Sequence, residues 1–455
     1  MKLVDQPVNL TVGNLWGNIW QLSWPIFLIM ILNFFVGFTD IYVAGLINPE
    51  VQAAVGFVGQ IYFLIIIAAN AISIGTIAMV SRAVGSNDYQ RALEISKQSL
   101  IFSAVIAIGL TIPGLFFPEE IISIAGFPPN IREISQTFLK IFSLALGPTY
   151  ILIISNAVFR ATGEVKKPLF TMFIVSVINI IGDFALVFGV FSFNGIGYMG
   201  IAFSTALAST IGMGINLLLF TLRRWRSLYT SPWSISSDTV KKIINLGWPA
   251  ALVQFAWNAG SIVLYNILGR LGAASIPALA SISNGLRIEA IIYLPAFALN
   301  MAASVLVGQN LGARNADRAE KLGWKIASSG VATTSLMALI IFTQAESFAS
   351  LVTNDQAVLE DTTSYLKFNM LSEPFMALSA VLGGGLQGAG DTRGVMWVII
   401  IAMWFIRLPL AYIFALILGY GATGVWAAMI TSMMVQGVLM ALRFHKGHWK
   451  KLKVD

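Results

Sequence analysis

Apolar residues run along this chain in long stretches, interrupted at short intervals by a few polar or charged positions. A bilayer core about 30 Å thick takes roughly 20 apolar residues per helix. The pattern predicts helices near 17–46, 53–80, 95–117, 133–158, 168–192, 200–222, 243–268, 278–306, 323–343, 362–386, 395–418 and 424–442. The fold class this implies is an all-α polytopic membrane protein with twelve transmembrane helices. Its expected parts are a cytoplasmic N-terminal segment (1–16), an N-lobe (17–222), a cytoplasmic linker (223–242), a C-lobe (243–442) and a basic cytoplasmic tail (443–455).

Loop charge gives the orientation. The linkers after the second, fourth and sixth predicted helices carry Arg82, Arg91, Arg160, Lys166, Lys167, Arg223, Arg224 and Arg226, whereas those after the first and fifth carry no basic residue. The tail is basic (Arg443, Lys446, Lys450, Lys451, Lys453), and the loop after the ninth helix is acidic (Glu346, Asp355, Glu360, Asp361). Basic residues favour the cytoplasmic face, so both termini are expected inside the cell, which requires an even number of spans.

Composition narrows the function. The 455 residues are 57% hydrophobic and only 11% charged, against about 25% charged in an average soluble protein. The net charge of +7 lies in the loops and calls for no nucleic-acid partner. No cysteine is present, which removes disulfides, thiol nucleophiles and zinc–thiolate sites. Both histidines, His445 and His448, fall in the tail, and no GxxxxGK[ST] loop occurs. These absences argue against an enzyme, so a gradient or a partner must drive whatever work is done. The start of the chain does not resemble a cleaved signal peptide.

The chain also repeats itself. VSRAVGSNDYQRA at 80–92 parallels VGQNLGARNADRA at 307–319, and FRATGEVK at 159–166 parallels LQGAGDTR at 386–393, both 227 positions apart. Ser23-Trp24-Pro25 returns as Gly247-Trp248-Pro249 after 224 positions. Two six-helix lobes related by duplication enter the membrane in the same sense, and substrate sites in such folds lie near the midplane.

Ionisable side chains within the apolar stretches need a reason, because a charge at the bilayer centre costs about 2.5–3.5 kcal/mol. Asp40 lies deep in helix one. Asp183 lies in helix five with Asn179 one turn earlier on the same face. Pro25 permits a bend in helix one, while Gly37 and Gly182 beside the acids would let neighbouring helices approach. The residues are expected to form one polar pocket, where two adjacent carboxylates hold a proton or a small cation. Oxygen ligands suit Na⁺ as well as H⁺. Arg287, Glu289, Glu373 and Arg407 lie in the second half, where they can pair across helices. The repeat sets Leu264 opposite Asp40, and Leu410 or Arg407 opposite Asp183, so the paired acids belong to one half only.

Several of these features together are similar to the multidrug and toxic compound extrusion (MATE) transporters, over nearly the whole chain. They are Trp24-Pro25, Phe38-Thr39-Asp40-Ile41, the turn from Arg160 to Pro168 with its echo at 387–393, and GIAFST at 200–205. The resemblance implies two pseudo-symmetric six-helix lobes around a central cleft. It further implies export of organic cations and amphipathic drugs in exchange for H⁺ or Na⁺, with no other cofactor, from the cell (inner) membrane, as a monomer. On the DinF-like branch, the cation-coupling site and Na⁺ ligands correspond to Asp40, Asn179, Asp183 and Thr205. Pro25 corresponds to the hinge, and Asn33 and Asn156 to the substrate cavity. The NorM-like branch has an acid on helix seven, eight residues past the proline, where this chain has Trp257. The alternative reading is a lipid-linked oligosaccharide flippase of the same superfamily. Neutralising a pyrophosphate calls for several cavity Arg or Lys, and only Arg287 and Arg407 qualify.

Overall fold

The computed structural model describes residues 10–190, 193–230 and 235–452. The chain is almost entirely helical. The first half gives α1 (Leu15–Ile47), α2 (Pro49–Gly85), α3 (Tyr89–Phe116), α4 (Arg132–Ala161), α5 (Lys166–Phe188) and α6 (Met199–Phe220). The second half gives α7 (Ser237–Gly269), α8 (Ser275–Gly312), α9 (Ala316–Thr343), α10 (Gln356–Met370), α11 (Glu373–Gly388), α12 (Thr392–Ile400) and α13 (Gly421–His445). Among the described residues, eleven helices are each long and apolar enough to cross a bilayer.

Three of the expected helices differ. The stretch 362–386 is two helices, α10 and α11, with a turn at Leu371 and Ser372. The break has a local cause: Pro374 has no N–H to continue the ladder and disfavours helical geometry at the residue before it, so it suits the first turn of a new helix. Helix eleven changes pitch, passing through π-helical turns at Ile401–Arg407 and Ile413–Ile417 on either side of a short α-helical piece. Helix five ends at Phe188, and Gly189–Val190 pairs antiparallel with Phe193–Asn194.

Several helices also begin earlier than hydropathy alone suggests, because polar caps hold the turns outside the oil. Asp88 accepts from the Arg91 N–H at 2.9 Å and starts α3; Asn315 accepts from the Arg318 N–H at 3.2 Å and starts α9. The duplication is visible in the backbone at these points. Asn87 (φ 60) and Arg314 (φ 57), 227 positions apart, both take the left-handed conformation in the turns before α3 and α9. Gly163 (φ 81) and Gly390 (φ 90) do the same after α4 and α11, where a residue without Cβ adopts it freely.

The chain forms two compact units. Unit 1 contains Trp24–Gly247, and unit 2 contains Thr11–Ser23 with Trp248 onward. The division falls inside α1 and inside α7, at Trp24-Pro25 and Trp248-Pro249. In unit 1 the first turns of α7 lie against α2, where a Cβ on Gly75 would meet the Ile243 carbonyl and one on Gly247 the Ala71 carbonyl. In unit 2, Arg318 of α9 donates to the carbonyls of Val12 and Gly13 at 3.0 and 2.9 Å, and Lys325 lies 5.0 Å over the Trp16 ring. The two helices that carry the repeated Trp-Pro are the least enclosed of the eleven: 17% of the apolar window of α1 and 22% of that of α7 is buried, against 61% for α2.

Candidate functional site

Unit 1 gathers the expected polar residues from three helices. On α5, Asn179 and Asp183 are one turn apart and wholly buried against α6. The Asn179 amide donates to Thr205 Oγ1 at 3.1 Å and to Ser204 Oγ at 3.4 Å, while Ser204 Oγ donates to the Asn179 carbonyl at 2.7 Å. Thr205 Oγ1 in turn donates to the Ile201 carbonyl at 3.2 Å. Close packing of α5 on α6 depends on Gly182, whose Cβ would come within 2.8 Å of Ser204 Oγ and 3.2 Å of its Cβ. Gly37, expected to do the same for α1, faces open space instead.

From α1, Asp40 lies near enough to Asp183 and Asn179 to interact with both. Asp40 Oδ1, Asn179 Oδ1 and both Asp183 oxygens are enclosed without a hydrogen donor. A buried oxygen without a donor is costly, and four together form a ready acceptor for a proton or a hard cation. No cluster of three or more His, Cys, Asp or Glu exists among the described residues, so any cation here meets two carboxylates and neutral oxygens.

The remaining expected positions lie elsewhere in the unit. Asn33 is exposed on α1, two turns before Asp40 and on the same face. Asn156 is buried on α4, accepting from Asn216 at 2.8 Å in a network where Asn216 also donates to Ser155 and accepts from Thr171. Among the described residues no hydrogen bond joins either asparagine to the aspartates. Pro25 sits within the continuous α1. Just beyond it a groove of about 560 Å³ opens between α1 (Trp24, Leu28, Ile31) and α5 (Lys166, Phe170, Phe173). Ser204 was not anticipated; its signal is its place beside Thr205, on the helix that Gly182 faces. Tyr62 of α2, whose hydroxyl donates to Thr149 at 3.0 Å, is close enough to feel the Asp40 charge.

In unit 2 the expected pairing across helices is not found. Arg287 is exposed, and no ion pair within 4.0 Å involves Arg407, Glu289 or Glu373 among the described residues.

The comparisons with known proteins match this architecture. The sequence profile of the family described as MatE matches twice, over residues 25–185 and 249–413, each match opening on the proline of the repeated Trp-Pro. A "Probable multidrug resistance protein NorM" of Thermotoga maritima is 26% identical over 93% of this chain and 91% of its own. A MATE crystallised in a straight conformation superposes with a TM-score of 0.87 at 21% identity, and one in a bent conformation with 0.88 at 20%; each match covers 97% of this chain. The first of these covers 99% of the other chain and the second 98%. With the family profile covering most of its length in two copies, one per repeat, this multi-pass membrane protein belongs to the MATE family of transporters.

Proposed function

We propose that the protein is a secondary multidrug exporter that expels organic cations and amphipathic drugs in exchange for H⁺ or Na⁺, with Asp40 and Asp183 as the shared binding pair. The observation that carries this reading is the set of four enclosed oxygens of Asp40, Asn179 and Asp183 that no donor satisfies, with the two carboxyls near enough to interact. Two ionised carboxylates in contact repel, so the pair is stable with a proton between them, with a small cation, or with a cationic drug nearby. Occupancy by one therefore opposes occupancy by another, which is what exchange requires. Asn179 and Thr205 supply neutral oxygens, and Asn33 and Asn156 line the drug's approach.

The energetics suit exchange of one ion for one cationic drug. Moving a monovalent cation outward against about 100 mV costs roughly 2.3 kcal/mol, and one entering cation cancels that term. A tenfold ion gradient then supplies about 1.4 kcal/mol.

The conformational partner of ion loading is α1. Its continuous helix contains Pro25, its burial is low, and the groove against α5 leaves room for it to shift. That neighbours in the family were captured straight and bent is in keeping with such a movement. In this reading α10 and α11 together form the tenth of twelve spans, both termini are cytoplasmic, the membrane is the cell (inner) membrane, and the monomer is the working unit.

The test is efflux of a fluorescent cation from proteoliposomes under separately imposed pH and Na⁺ gradients. Saturable efflux driven by either gradient, abolished in D40N, is expected. Efflux that ignores both gradients, or full activity in a normally folded D40N, would overturn the proposal.

A further inference from the structure

Unit 2 has its own buried polar cluster, drawn from five parts of the fold. Glu289 and Tyr293 stand one turn apart on α8, with the Tyr293 hydroxyl donating to Glu289 Oε2 at 2.9 Å. Glu373 is the first residue of α11, directly after the break that follows α10. Tyr365 lies on α10 and is wholly buried. Arg407 closes the first π-helical segment, with its Nε donating to Ser432 Oγ of α13 at 2.8 Å and its guanidinium 4.9 Å over the Trp257 ring of α7. Glu289, Glu373 and Arg407 are each at most 4% exposed.

Three points set this cluster apart from an ordinary structural ion pair. The guanidinium makes no direct ion pair with either glutamate, yet its charge acts on Glu289, and Glu289 acts on Glu373. It is seated instead on an aromatic face, the surroundings that suit a weakly hydrated cation. Ligand groups also stand ready around it: Glu373 Oε2 and the Tyr365 hydroxyl are enclosed without a partner. Two helical irregularities of unit 2, the α10–α11 break and the first π-helical segment, converge here. Interrupted helices and π-turns in membrane proteins commonly mark places that hold a ligand.

We infer that Glu289, Glu373, Tyr293, Tyr365 and Trp257 build a monovalent-cation site whose resident cation is the Arg407 guanidinium. Two buried acids demand positive charge, and the chain supplies it on a tether. The site then takes a free cation, guanidinium or Na⁺, only when that side chain is removed. Unit 2 is accordingly insensitive to external cations in the intact protein.

The experiment is thermal melting of the purified full chain, followed by tryptophan fluorescence in choline chloride with added guanidinium or Na⁺. In choline, R407A is expected to melt about 5 °C or more below the intact protein, since a buried charge left unpaired is strongly destabilising. Millimolar guanidinium should restore at least half of that loss by binding the folded state, with no effect on the intact protein. R407A melting like the intact protein, or a loss that neither cation reduces, overturns the inference. A second comparison holds even where R407A folds poorly. Because Glu289 requires the cation, the double variant E289Q with R407Q is expected to melt above R407Q alone. A double variant that instead adds a further loss contradicts the assignment. Neither readout involves transport, so it stands or falls apart from the proposed drug exchange.

Discussion

Asp40 of α1 and Asp183 of α5, 143 positions apart in the chain, lie near enough to interact, beside the side-chain oxygens of Asn179, Ser204 and Thr205. Like charges in contact store repulsion that only a bound positive ion relieves. A carboxamide at either position keeps the shape and loses the charge. D40N and D183N are each expected to lower gradient-driven efflux by about tenfold or more. Neither should lower the melting temperature, because the repulsion is gone. A variant that melts earlier and transports normally would assign the pair a structural role.

The α5–α6 contact that frames this pocket rests on Gly182. A methyl group there would press on Ser204 Oγ and Cβ at 2.8 and 3.2 Å. Overpacking of this kind costs typically 1–3 kcal/mol, so G182A is expected to lower both melting temperature and efflux. S204G removes both atoms in the way, and the double variant G182A with S204G should recover most of the stability. Melting curves of the three variants decide this; a double variant less stable than G182A would show that the clash is not the cause.

The spans were legible because each is long and apolar, and the duplication because left-handed turn residues and Trp-Pro recur at fixed offsets. Asn179 and Asp183 were legible through one-turn spacing on a single helix. Ser204 was not, since its role comes from contact with a glycine 22 positions earlier, which no local pattern reveals. The break between α10 and α11 also escaped hydropathy: Pro374 breaks one helix, whereas Pro25 and Pro249 lie inside continuous helices. Proline alone does not distinguish the cases; the flanking packing does. Likewise Gly37 and Gly182 look alike in sequence, yet only the second faces a neighbour.

Pro25 removes a ladder bond from α1 at the point where the chain passes from unit 2 to unit 1. P25A restores a regular helix, so it is expected to leave the melting temperature unchanged or raise it. Turnover in a dye-efflux assay should fall several-fold, while dye affinity, measured by fluorescence polarisation, stays near its original value. Loss of binding together with turnover would place the proline in the drug site rather than at a hinge. P249A in α7 offers the matching measurement in the second repeat.

Each unit closes on a Phe and a Trp five residues apart, and the two pairs are themselves 224 positions apart. In unit 1, Phe220 stacks on Phe159 at 4.5 Å with Trp225 packed on both, and Trp225 Nε1 donates to Glu164 at 3.3 Å. Lys167 pairs with the same Glu164 at 2.6 Å. In unit 2, Phe444 stacks on Trp449 at 4.7 Å, and Arg443 grips Asp391, the counterpart of Glu164, at 2.7 and 2.8 Å. Removing either tryptophan side chain empties a packed site and is expected to cost about 3–5 kcal/mol. Because each latch lies within its own unit, W225A and W449A should lower the melting temperature additively. A double variant no worse than either single one would mean that the two latches act as one device. G394A offers a milder probe of the second latch, since its methyl group would collide with the Arg443 side chain and loosen its hold on Asp391. It should reduce stability less than W449A and leave the size of the loss caused by W225A unaltered.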